Sequence, residues 1–183
     1  MKHWIAIVSS CLVAACSTDD KASSGSASAA LDGFWSQNAP QGARSVLEVR
    51  ADAKAGDEVV VRGRAKDFVS SVAALTIVDP TLRACSDEGD PMAGSCETPW
   101  DYCCIPAKEV AAASATVEFR DGANPLKGSA QGFHGLNHLD TLVVSGIVER
   151  DASGNMTVVA KSFAFTPNPP MPRSSRTSPG PAW

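Results

Sequence analysis

Five short stretches in the middle of this chain alternate apolar and polar residues, and turn-forming residues bound most of them. Glu58-Val59-Val60-Val61-Arg62-Gly63-Arg64 sets Val59 and Val61 on one face and Arg62 and Arg64 on the other, the period-two signature of a half-buried strand. Val72 to Val78 is more apolar and stops at Asp79-Pro80. Ala115 to Arg120 alternates Val117 and Phe119 with Glu118 and Arg120, then turns at Asp121-Gly122. Thr141 to Glu149 and Met156 to Phe165 flank Asp151–Asn155, a loop with Gly154 in it, and so predict a hairpin. Pro125 to Leu139 is left as a loop or short helix. Ahead of the strands, Ser45 and Glu48 have the spacing of a capping box, which predicts a helix over Val46–Lys54 ending at Ala55-Gly56. Leu31, Phe34 and Trp35 are expected to pack onto this unit without a chemical role.

The expected fold class is therefore all-β with one short N-terminal helix. Gly56 to Arg64 resembles the first strand of OB-fold modules, with Gly63 easing the bend that lets one strand serve both ends of a barrel. Thr76-Ile77-Val78-Asp79 resembles the second strand, and Leu139 to Val148 the fourth, with Gly146 as the counterpart of Gly63. The resemblance implies a five-stranded OB-like Greek-key barrel, and extends to small secreted OB-like lipoproteins of unassigned activity. A five- or six-stranded sandwich is the alternative.

The N-terminus gives an address. Trp4 to Ala15 is an apolar run broken by Ser9, Ser10 and Cys11, preceded by Lys2 and His3. Twelve residues are too few to cross a bilayer as a helix, which takes about 20, whereas a short apolar core with a small-residue exit reads as a secretion signal. Leu12-Val13-Ala14-Ala15-Cys16 resembles the lipobox of bacterial lipoproteins. That resemblance implies cleavage before Cys16, acyl chains on that cysteine, and a place in the cell envelope. Ser17, standing where retained lipoproteins often have Asp, favours the outer membrane. Ser17 to Ala30 has no large apolar residue and reads as a flexible tether. The organisation expected is a signal over 1–15, a lipidated cysteine and tether over 16–30, a barrel domain over 31–165, and a tail over 166–183. That tail carries six prolines and cannot sustain a helix or sheet interior.

The chain has 16 Lys and Arg against 20 Asp and Glu, and loses Lys2 with the signal. An acidic balance disfavours phosphate-driven nucleic-acid binding, which needs clustered cations.

Cys85, Cys96, Cys103 and Cys104 all fall between the second and third strands, in the long segment Thr81–Lys108. Outside the cytoplasm, an even number of nearby cysteines predicts disulfides. Adjacent Cα atoms lie about 3.8 Å apart, below the usual disulfide range. A Cys103–Cys104 bond is thus disfavoured, and two arrangements joining Cys85 and Cys96 to that pair stay open. Each bridge contributes roughly 2–4 kcal/mol. A zinc site is the rival reading, although C-x10-C-x6-C-C departs from the usual C-x2-4-C pairs. His134 and His138, four residues apart, are a second candidate for metal, with Gly132 and Gly135 against a helix there.

No Gly-x-Ser-x-Gly elbow, P-loop or H-E-x-x-H occurs in the sequence, so no catalytic residue is assigned. The expectation is a lipid-anchored, non-enzymatic binding or adaptor module. It has no cofactor beyond the lipid on Cys16, does not bind nucleic acid, and takes an envelope protein or glycan as partner. Arg62, Arg64, Trp100, Tyr102 and Arg120 are the candidate binding residues. The alternative is a metal-binding envelope lipoprotein using His134, His138 and the cysteine-rich segment.

Overall fold

The computed structural model describes residues 28–87 and 96–169. The lipobox, most of the expected tether, and the tail from residue 170 onward lie outside the described residues.

Strands dominate. They are β1 (Arg44–Ser45), β2 (Glu58–Phe68), β3 (Ala74–Val78), β4 (Ser114–Glu118), β5 (Arg120–Asp121), β6 (Asn124–Pro125), β7 (Thr141–Arg150) and β8 (Met156–Thr166). Two short helices, α1 (Val46–Asp52) and α2 (Ala107–Ala112), and a 3-10 turn at Phe133–Gly135 complete the described elements. Six strands form one mixed sheet in the order β1-β2-β3-β4-β8-β7, and β2 pairs in addition with β7. β1 runs parallel to β2 and β4 parallel to β8, while the other pairs are antiparallel. β5 and β6 form a separate two-stranded ribbon.

The length of β2 follows from its double duty. Residues 58–64 pair with β7, and residues 64–68 pair with β3 across a register irregularity between Ala65 and Phe68. Val59, Val61, Gly63 and Ala65 are buried along its inner face. They meet Leu75, Ile77, Val117, Leu142, Val144, Val148, Val158 and Phe163 in the main core. Phe119 and Phe163 stand edge to face with centroids 4.8 Å apart, and Phe34 meets Phe119 at 5.5 Å. Leu31 is fully buried, and Trp35 bridges to Phe163 on β8. The N-terminal aromatic segment thus packs on the domain as its composition suggests, each large buried apolar side chain contributing roughly 1.5–3 kcal/mol.

α1 begins where the capping box places it. Ser45 Oγ accepts from the Glu48 N–H at 3.3 Å, and Glu48 accepts from the Ser45 N–H at 2.6 Å. The helix stops at Asp52, two residues short of the expected end, where Ala53 turns extended (φ −71°, ψ 137°), and Arg150 Nη2 satisfies the carbonyls left there, donating to Arg50 O at 2.8 Å and to Ala53 O at 2.9 Å. Gly56 (φ +94°) then turns the chain into β2. Residues 28–31 form a helical turn, so the end of the expected tether belongs to the folded unit.

Three expectations need correction. Arg120 does not continue β4. Phe119 makes the last contact with the β3 side, donating to Ala73 O, while its own carbonyl accepts from Leu126 N–H, and Arg120 passes into the β5–β6 ribbon. α2 begins in the last two residues of the expected long segment Thr81–Lys108 and runs on to Ala112, where no element was expected. The expected disulfides are not seen: among the described residues no two cysteine sulfurs stand at bonding distance, and Sγ of Cys103 lies 2.9 Å from Cys85 and 3.4 Å from Cys96. The segment is held instead by a small second core of Val78, Ala84, Tyr102 and Leu139, against which Leu82, Ile105 and Val110 pack.

Candidate functional site

A hollow of about 770 Å³ lies over β3 and β4. Its floor includes the half-exposed Thr76 of β3 with Ser114 and Thr116 of β4. Period two makes this arrangement, since Leu75, Ile77, Ala115 and Val117 alternate with the floor residues and turn into the core. One wall is built by Asp101, Tyr102, Cys103 and Ile105, and continues into α2 through Val110. Lys66 and Asp67 of β2, Arg50 of α1, and Asn155 and Met156 at the β7–β8 turn complete the lining.

Charges in the cleft are held in place. Lys66 Nζ bridges Asp67 at 2.7 Å and Asp101 at 3.3 Å. Burial alone would lower the Lys66 pKa, but these two carboxylates raise it above the usual value, so the ammonium form is retained. Arg50 donates to Ser114 O at 2.9 Å, and its pKa is lowered by burial and then by Arg150. Asp101 lies below the usual carboxylate range because the Tyr102 N–H donates to it and Lys66 stands beside it, against some burial. Fixed charges, hydroxyls and an apolar wall together form a binding surface of mixed chemistry.

The five residues singled out from the sequence do not converge on this surface. Arg62 is exposed on β2, level with Ser45 of β1. Arg64 is spent on a bidentate pair with Asp87, at 2.5 and 2.8 Å, with only 11% of its side chain exposed. Arg120 is tied to Glu118 at 2.6 Å and to both oxygens of Glu149 at 2.8 and 2.9 Å. Tyr102 lines the cleft but is buried, and its hydroxyl has no hydrogen-bond partner. Burial, with Asp87 and Asp101 nearby and despite Arg64, pushes its pKa up to about 12. Trp100 lies in a second hollow of about 560 Å³, stacked on His138 with centroids 5.1 Å apart.

The two histidines are engaged separately. His134, at φ +47°, stacks on Trp35 at 4.4 Å and meets Asp32 at 2.9 Å. His138 meets the Lys66 carbonyl through Nδ1, and packs against Phe68 as well as Trp100. Among the described residues, neither belongs to a group of three metal-ligating side chains.

The cysteines do converge. Sγ of Cys103 lies 2.9 Å from Cys85, 3.4 Å from Cys96 and 4.0 Å from Cys104. Cys85, Cys103 and Cys104 present sulfurs within 4.8 Å of one another. Cys85 is buried and fixed by its N–H to Asp101 O at 2.8 Å. Cys96 falls below the usual value through backbone hydrogen bonding at Thr98 and then through Cys103 and Cys85, while Cys103 rises because Cys85 and Cys96 hold its proton.

Sequence reasoning missed Lys66, Asp67, Thr76, Thr116 and α2 as parts of one surface. The outward-facing hydroxyls at alternate strand positions were the available signal for the floor, and Pro106 followed by an alanine-rich run was the signal for α2.

No family model matches the chain, and no curated protein matches it. Among solved structures it is similar to the OBody AM1L10 bound to hen egg-white lysozyme, at 14% sequence identity and a TM-score of 0.39, over 73% of this chain and 99% of that one.

Proposed function

We propose that this protein is a non-catalytic binding module of the bacterial cell envelope, anchored by acyl chains on Cys16 and placed at the outer membrane. In this reading β2, β3, β4, β8 and β7 make a five-stranded OB-like Greek-key barrel. Support comes from the pairings, which run β2–β3–β4–β8–β7 and return to β2 through the β2–β7 ladder, with β4–β8 as the parallel step. The single observation carrying the functional reading is the cleft over β3 and β4. These are the second and third strands of such a barrel, the face on which OB modules take their ligands, and the turn joining its last two strands contributes Asn155 and Met156. The partner is an envelope protein segment or a glycan, met by hydroxyls, the paired charges of Lys66 and Asp101, and the wall of Ile105 and Val110. A metal site on His134 and His138 is not part of this reading, since each ring is committed elsewhere.

The test is photo-cross-linking in intact cells. A photoreactive side chain at Thr116 is expected to give a discrete adduct, lost when Ser114→Trp fills the cleft. Protease or glycan-hydrolase digestion of the adduct then assigns its class. The same group at Ile147, exposed on β7 and not part of the cleft lining, is expected to give none. Equal adducts from both positions, or an adduct indifferent to Ser114→Trp, overturns the proposal.

A further inference from the structure

We propose that Cys85, Cys96, Cys103 and Cys104 form a thiolate site for one thiophilic d10 cation, with Zn2+ as its commonest occupant. This inference does not depend on the ligand of the cleft. A tetrahedral four-sulfur site with metal–sulfur bonds of about 2.3 Å requires sulfur–sulfur edges of about 3.8 Å. The contacts at Cys103, 2.9, 3.4 and 4.0 Å, straddle that value. The two shortest share the Cys103 sulfur, so no set of exclusive pairs uses both. Cys85, Cys103 and Cys104 already lie within 4.8 Å of one another, a three-sulfur face that one ion can share, and Cys96, 3.4 Å from Cys103 but outside that group, closes onto the ion as the fourth ligand.

The spacing C-x10-C-x6-C-C departs from the usual zinc pairs, and two of these ligands are adjacent. In an extended chain neighbouring side chains point to opposite faces. Here residues 103 and 104 lie in a turn, and their sulfurs are brought to 4.0 Å. The scaffold is set without the ion. Cys85 is buried, its N–H is tied to Asp101, and Tyr102 packs in the second core immediately before Cys103. Soft sulfur donors without carboxylate or imidazole among them select zinc-like ions over Mg2+ or Ca2+. Binding replaces thiol protons by the cation, so apparent affinity rises with pH. Because Asp101, Tyr102 and Cys103 also wall the cleft, the ion would fix one side of it.

The test uses the full chain carrying Cys11→Ala and Cys16→Ala, so that four thiols remain, purified anaerobically under reduction. Native mass spectrometry with added Zn2+ is expected to show one ion per chain and none with Mg2+. Cd2+ is expected to give a thiolate charge-transfer band saturating at one equivalent. Alkylation mapping is expected to show all four thiols protected by Zn2+ and exposed by chelator, a readout that needs no mutation at the site. Cys103→Ser is expected to abolish stoichiometric binding, whereas His134→Ala and His138→Ala leave it unchanged. Absence of a stoichiometric complex, a complex indifferent to Cys103→Ser, or wild-type protein from the envelope lighter by four hydrogens with two disulfides at these positions overturns the proposal.

Discussion

Valine at position 146 is expected to cost about 3 kcal/mol of folding free energy, the upper end of what overpacking a filled core produces. A Cβ at Gly146 would stand 2.4 Å from the Val159 carbonyl oxygen, 2.7 Å from Val158 Cγ1 and 3.0 Å from the Val159 carbonyl carbon. Two of these three atoms are backbone of the partner strand, so relief requires β7 and β8 to separate. The site also falls at the register shift between Ser145 and Gly146, while on its other side Gly146 lies opposite Val59 of β2. Gly63 offers the comparison. A Cβ there meets Ile77 alone, 2.9 Å from its Cβ and 3.0 to 3.1 Å from Cδ1 and Cγ1; no carbonyl is in the way, but the Ile77 Cβ moves only with its backbone, and Gly63→Ala is expected to cost about 2 kcal/mol. Urea unfolding followed by circular dichroism measures both. A Gly146→Val protein as stable as the parent would contradict the packing described between β7 and β8.

Asp79→Ala is expected to be comparably damaging, at about 3 kcal/mol. Asp79 is fully buried at the end of β3. Its carboxylate accepts from the Leu47 N–H at 2.8 Å, the Thr81 hydroxyl at 2.7 Å and the Thr81 N–H at 3.0 Å. It thereby ties the first turn of α1 to the turn leaving the sheet, and alanine removes the one charged acceptor that these three donors share. Burial would raise the Asp79 pKa, but the hydrogen bonds outweigh it and hold the group below its ordinary value of 3.8. The unfolded state therefore takes up the proton first as acidity increases. The stabilisation is complete above the unfolded pKa and is lost as pH falls through the folded one. Asp79→Asn, which keeps the shape without the charge, is expected to flatten that acid limb. Unfolding midpoints measured across it test this, and an unchanged slope in the asparagine variant would contradict the assignment.

What the sequence disclosed, it disclosed through short-range rules. Ser45 and Glu48 are three residues apart and their exchange of hydrogen bonds is local, so the start of α1 was readable. Alternation located the five long strands to within a few residues, and Asp151 to Asn155 closes its hairpin through its own side chains. Long-range commitments were hidden. Alternation shows that Arg64 and Arg120 face away from the core, but not that Asp87, 23 residues on, and Glu149, 29 residues on, neutralise them. Outward arginines therefore looked available when they were not. Asp79 was read as an ordinary turn residue because its link to Leu47 spans 32 positions. α2 escaped notice since it has only six residues and no side-chain cap. The cysteines were read through their compartment, which favours pairs, and spacing alone could not convey that a turn at Cys103-Cys104 gathers the sulfurs around one point.

The proposal as a whole rests on export and anchoring, and one labelling experiment addresses both. Cells expressing the full chain are fed radiolabelled palmitate and fractionated. The account predicts a labelled, membrane-associated product whose N-terminal residue is Cys16, with neither label nor membrane association in Cys16→Ser. An unlabelled cytosolic product that retains Met1 would contradict it.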